Sequence, residues 1–221
     1  MSHAFATGAA VLALAVTAST AMAEDSYLDL RVGGGYLARD FKGPSSTTVS
    51  TNGSTPTYTE SGGDSKADGN TRGQVELMYG HLYEYGGPIV GVDAGVNWAR
   101  FGHGNRITTP VADLIVGYGY QILPGWHFEL APFAGYGRSY YDISDSGNIR
   151  HHDSTRYIEY GARVGTYITL LRLFQVGVEV PYFVGRFKED VSHASGSSSY
   201  TSSDSFRNQG FGVLLSLGLR L

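Results

Sequence analysis

Cysteine is missing from the 221 residues, which excludes a disulfide framework and any thiolate metal site. Lysine is nearly missing: Lys42, Lys66 and Lys188 are the three among 16 basic residues. A soluble domain normally covers itself with lysine and glutamate, so the large exposed surface here is not of the usual water-facing kind. The net charge of −4 is too weak and of the wrong sign for a nucleic-acid partner. Long apolar runs are absent too. The most apolar stretch, Ala9 to Val16, is far too short to cross a bilayer as a helix. Glycine, by contrast, is abundant at 31 residues, and tyrosine (16) greatly outnumbers tryptophan (2).

The short apolar stretch has another use. Ala9 to Val16 is followed by the more polar Thr17 to Thr20 and by Ala21-Met22-Ala23, an A-x-A cleavage pattern, before Glu24-Asp25. This predicts an export signal over residues 1–23, cut between Ala23 and Glu24, and a single mature domain over 24–221.

The mature part alternates. From Phe211 to Leu221 the residues Phe211, Val213, Leu215, Leu217, Leu219 and Leu221 share one face, and Gly212, Leu214, Ser216, Gly218 and Arg220 lie on the other. Period two over eleven residues is a β-strand with one greasy side. Seven further stripes precede it, starting near Leu28, Arg72, Val90, Ala112, Phe128, Ile158 and Val176. Connections alternate as well. Lys42 to Gly69, Asp142 to Ser154 and Lys188 to Ser205 read as long loops, with Phe101 to Arg106 more modest; Glu84 to Pro88, Gln121 to Trp126 and Leu171 to Phe174 read as short turns. Long external loops alternating with short periplasmic turns is the pattern of a transmembrane barrel. The expected fold is therefore all-β, an eight-stranded antiparallel up-and-down transmembrane β-barrel.

Alternation alone does not say which face points outward, since a lipocalin-like barrel has the same period. The polar face is rich in glycine and holds no lysine. Eight strands leave an interior just wide enough for side chains, which Tyr118, Tyr120, Phe128, Tyr136, Tyr160 and Tyr182 would overfill. The apolar face is therefore assigned to lipid. The stripes also exceed the usual strand of about 5–6 residues and suit tilted spans of about 9–11 residues. With that assignment Asp29, Arg31, Arg72, Glu76, Asp93, Asp113, Glu129, Glu159, Arg163, Glu179 and Arg220 converge in a narrow lumen. Buried charge is costly unless met by opposite charge and hydrogen bonds, so they are expected to form a salt-bridged plug. A selectivity-lined pore is the alternative.

In topology, lumen character and terminal strand, residues 26–221 resemble the small eight-stranded outer-membrane proteins of the OmpA transmembrane-domain and OmpX type. The resemblance implies a barrel in the Gram-negative outer membrane, reached through the periplasm, in contact with lipid and lipopolysaccharide. It also implies that the C-terminal strand is read by the insertion machinery. Such proteins usually end in an aromatic residue; this chain ends in Leu221. No peptidoglycan-binding domain is expected after the barrel.

Enzymes occur on similar scaffolds. Lipid A deacylases use a His and a Ser two residues apart on a strand, and the nearest pattern is His193-Ala194-Ser195, read as part of a loop that would not hold a base and nucleophile in place. His152-Asp153-Ser154 superficially matches the residue types of palmitoyl transferases. His151, His152 and Asp153, with His103 and His193, could ligate a surface ion, but solvated loop polarity accounts for them. The sequence therefore predicts no enzyme, no catalytic residues, no metal and no cofactor. It predicts a monomeric structural or surface-interaction protein whose Ser/Thr/Gly-rich loops are the candidates for meeting an extracellular ligand. A small channel or porin-like transporter is the alternative, and a lipid A-modifying enzyme a third reading.

Overall fold

The computed structural model describes residues 26–42, 65–66, 69–81, 85–100, 106–144, 150–195 and 198–221. The expected export segment, most of the first loop and His103 lie outside them. Eight long strands make the barrel: β1 (Ser26–Lys42), β2 (Gly69–His81), β3 (Gly86–Arg100), β4 (Arg106–Leu123), β5 (Trp126–Ser144), β6 (Arg150–Leu170), β7 (Phe174–Ser195) and β8 (Ser198–Arg220). A two-residue strand, Ser65–Lys66, pairs with the far end of β1 at Asp40↔Lys66. Each long strand is antiparallel to the next, and β8 returns to β1 from Asp29↔Arg220 to Lys42↔Arg207. Even the last residue joins in, since the Leu221 N–H donates to the Leu28 carbonyl at 2.8 Å. Closure leaves no unpaired edge, the condition for a sheet to cross lipid, where no water satisfies a bare N–H.

Residue exposure fixes the direction of the faces. Leu215, Leu217 and Leu114 are 66%, 65% and 55% exposed, while Asp29, Glu129 and Glu159 are 0% exposed. An apolar outside around a charged inside is the reverse of a soluble protein, and is what a lipid solvent selects.

The interior is not purely polar. Tyr27, Leu37, Met78, Ile89, Ile115, Phe133, Phe183 and Leu214 form one buried apolar cluster, and Phe41, Val111, Tyr157 and Phe187 another farther from the termini. The crowding expected of interior aromatics is relieved by register. Tyr27 faces Gly80, Leu37 faces Gly212, Met78 faces Gly91, Phe133 faces Gly161 and Tyr167 faces Gly177 on the adjoining strand. A Cβ at Gly80 would run into the Tyr27 ring, and one at Gly177 into Tyr167. Glycine opposite these large side chains gives them room in a narrow barrel.

Two of the expected loops are strand. Asp142 to Ser154 is mostly paired backbone, with Asp142↔His152 and Ser144↔Arg150, and only residues 145–149 fall between β5 and β6. Lys188 to Ser205 is likewise paired, as in Ser192↔Thr201 and Ser195↔Ser198. His193-Ala194-Ser195 is therefore on β7, and His151, His152 and Asp153 are on β6, not in loops. Beyond the lipid both faces of a strand are wetted, so hydrogen-bonded pairing continues without alternation in hydropathy.

Two of the expected short turns lie wholly within the described residues; of Glu84 to Pro88, Gly86 to Pro88 belong to β3 and Glu84 lies outside the described residues. β4 and β5 are joined by Pro124-Gly125, with Gly125 at φ +80°. Between β6 and β7, Leu171 (φ 53°) and Arg172 (φ 61°) are both left-handed, and the Leu173 N–H donates to the Leu170 carbonyl at 3.1 Å. This is type I′ geometry built without glycine or asparagine.

Candidate functional site: the charged lumen

Odd-numbered positions of β1 point inward, which places Asp29 and Arg31 near the end of the barrel where the termini meet. Arg31 uses its full set of five donors. Its Nε donates to Gln175 Oε1 at 2.5 Å and its Nη1 to Glu76 Oε1 at 3.0 Å and Glu129 Oε2 at 2.9 Å. Its Nη2 donates to Asp29 Oδ2 at 2.8 Å and Glu129 Oε1 at 2.6 Å. The guanidinium lies 3.8 Å from the Tyr167 ring centroid, a cation–π contact in a site from which water is excluded. Arg220 grips Asp29 with two bonds of 2.8 and 2.9 Å and covers the Tyr27 ring at 4.0 Å.

Arg163 occupies the middle. Its Nη1 donates to Glu76 Oε2, and to Glu179 Oε2 at 3.3 Å; its Nη2 lies 3.6 Å from Glu129 Oε2. Gln74 joins this tier to the next through a 3.0 Å bond to Glu179. Farther from the termini Arg72 donates to Gln74 Oε1 at 2.8 Å, Glu159 Oε1 at 2.6 Å, Asp93 Oδ2 at 2.8 Å and Asp113 Oδ2 at 2.5 Å. Tyr157 and Asn97 donate to the second oxygen of Glu159 at 2.7 and 3.3 Å.

The structure thus brings all eleven sequence-derived lumen residues into one connected set. Between the Arg72 and Arg163 tiers is a residual cavity of about 20 Å³, with Leu37, Ile115 and Phe183 on its apolar side and Asp93, Asp113 and Glu179 on its polar side. That is space for a water or so. One oxygen each of Asp93, Asp113 and Glu179, and Arg163 Nε, have no protein partner.

Several members escaped the sequence reading. Arg39 is buried over Phe183, 4.9 Å from its ring centroid. It sits where the β1 alternation continues past Tyr36 through Leu37 and Phe41, and following the stripe two residues further would have found it. Gln175, Tyr157 and Tyr167 are inward by the same parity. His127 stacks on Tyr167 at 5.2 Å, with Nε2 3.3 Å from Glu129 Oε1. With Asp29 and Glu129 it forms a trio whose ligand atoms lie within 4.8 Å of one another. The guanidiniums of Arg31 and Arg220 already occupy those carboxylates, so the trio is an ion-pair cluster rather than a vacant cation cage.

No family model matches the chain, and no curated protein matches its sequence. Among solved structures it is similar to Ail, the attachment invasion locus protein of Yersinia pestis, at 13% identity and TM-score 0.41, over 89% of this chain and 97% of that one. Neisserial surface protein A overlaps at 10% identity and TM-score 0.40, over 87% and 96%. The outer membrane protease OmpT from Escherichia coli overlaps at 10% identity and TM-score 0.42, over 88% and 97%. These overlaps are loose; the fold stands on the strand pairing itself. By that pairing and by its inverted faces, the chain is a closed eight-stranded transmembrane β-barrel.

Proposed function

We propose that the protein is a non-conducting, non-enzymatic scaffold of the Gram-negative outer membrane, monomeric, with residues 1–23 removed on export. Its role is to present the polar extensions of β5–β6 and β7–β8 to an extracellular ligand. The observation that carries this reading is the occupied lumen: three tiers of arginine and carboxylate, linked through Glu76, Glu129 and Gln74, fill it, with the small cavity described lying between two of them. β8 is the segment offered to the insertion machinery, with lipid and lipopolysaccharide around the barrel.

Planar-bilayer recording tests the reading. The pure protein should show no steady openings. Steady single-channel currents in the wild type would make it a small pore instead. Arg163→Ala, which removes the middle tier's cation, should create or raise conductance only by destabilising the plug, so its currents should come with a lowered denaturation midpoint.

A further inference from the structure

Six outward-facing arginines lie at one end of the barrel: Arg100, Arg106, Arg138, Arg156, Arg186 and Arg207, all exposed. They stand on β3 to β8 at the end away from the chain termini. At the terminal end, among the described residues, the exposed cation is Arg172, in a turn. The arginines follow closely on exposed aromatics of the same outward stripes. Tyr136 is one outward position before Arg138, Tyr182 two before Arg186, and Phe211 two beyond Arg207 in sequence. Aromatic girdles mark the edge of the hydrocarbon, so the arginines lie at headgroup depth.

Their register is unfavourable in isolation. Arg138 is directly opposite Arg156, and Arg186 directly opposite Arg207. Like charges so placed repel. Arg100 is opposite Arg106, but Arg106 also faces Asp142 on its other side, so the argument rests on the first two pairs. The nearby exposed acid Asp40 faces Gln209 and Lys66, not either pair. Among the described residues no ion pair joins a carboxylate to these four arginines.

We infer that the Arg138–Arg156 and Arg186–Arg207 pairs are binding sites for phosphate groups of the outer-leaflet glycolipid. Two forked guanidiniums side by side match a phosphate's oxygens. The pairs point sideways from the barrel wall at the depth where lipid phosphates lie, which favours a membrane lipid over a soluble polyanion. An anion between each pair converts the repulsion into attraction. The inference rests on the outer-membrane reading above and assigns the lipid contact of that reading to particular residues.

The test uses the full mature chain folded in detergent. Native mass spectrometry compares retention of bisphosphorylated lipid A with that of its phosphate-free derivative, for wild type and for two double variants, Arg138→Gln with Arg156→Gln and Arg186→Gln with Arg207→Gln. Heat-modifiable mobility checks that each variant is folded. Wild type should prefer the bisphosphorylated lipid by about tenfold or more, the worth of a lost charge-assisted hydrogen bond, and each double variant should lose much of that preference. Equal retention of the two lipids by wild type, or a preference unchanged in both variants, overturns the inference. Binding of heparin fragments that the variants lose, with lipid retention unaffected, overturns it in favour of a soluble polyanion. Insertion of wild type into phosphocholine vesicles separates the failures. If it inserts and shows no preference, only the arginine sites fall; if it does not insert, the membrane reading falls with them.

Discussion

At the terminal end of the lumen, Arg31 has five donors and five acceptors, lies flat on Tyr167, and is 1% exposed. At the far end Arg72 serves as many carboxylates, yet it borders the cavity. Its partners Asp93 and Asp113 face each other in register and each keeps an unpartnered oxygen. The two clusters use the same residue types. They differ in whether every carboxylate oxygen around the guanidinium is met: those of Asp29, Glu76 and Glu129 are, and one each of Asp93 and Asp113 is not. Where every oxygen is engaged, removing the cation leaves buried carboxylate charge under-compensated. A cluster with spare oxygens beside a void can admit water, which softens the loss.

That contrast is open to measurement. The largest effect should come from Arg31→Met, which takes from Glu129 the guanidinium bonded to both its oxygens and leaves Asp29 and Glu76 with one cation each; it should cost about 3–5 kcal/mol in a reversible denaturant titration in lipid vesicles. A loss near that of an ordinary surface change would mean the Arg31 cluster is as wet as the other. Next in size is the turn that caps the terminal end. Replacing Leu171-Arg172 by Asn-Gly should stabilise by about 1–2 kcal/mol, since those residues accept left-handed φ at both positions. Asp113→Asn should be the mildest, within about 1 kcal/mol of wild type, because Arg72 keeps Asp93 and Glu159 and the repulsion between Asp93 and Asp113 is relieved. A double-mutant cycle sharpens the comparison: the Arg31–Glu129 coupling should exceed the Arg72–Asp113 coupling. The reverse order would break it.

The barrel wall was legible because lipid and lumen impose opposite demands on successive residues. Stripes such as Phe211 to Leu221 and Val90 to Trp98 record both solvents at once. Legibility ended where one solvent ended. In His151 to Ser154 and Val191 to Ser195 apolar and polar residues do not alternate in a sustained stripe, and nothing in their order separates paired strand from loop. The eleven lumen charges were readable from parity alone. Their pairing was not, because Arg31 and Glu129 are joined by curvature, not by any spacing along the chain. Interior Tyr27 and Tyr167 were hidden for a related reason: what makes room for them is Gly80 and Gly177, each on the adjoining strand.

Arg31 also bears on how the protein is assembled. Its acceptors come from β1, β2, β5 and β7, while Arg220 ties β8 to the same Asp29. A sheet that has not yet curled shut brings few of these together. Its concave side would carry charged groups wanting water, and its convex side residues wanting lipid. Such a ribbon is comfortable lying along a membrane surface and uncomfortable within it. Only when the eighth strand meets the first can the water leave, and then the groups lock as a set. A chain shortened by one hairpin would on this account yield no narrower cylinder, only a surface-bound ribbon stalled before insertion.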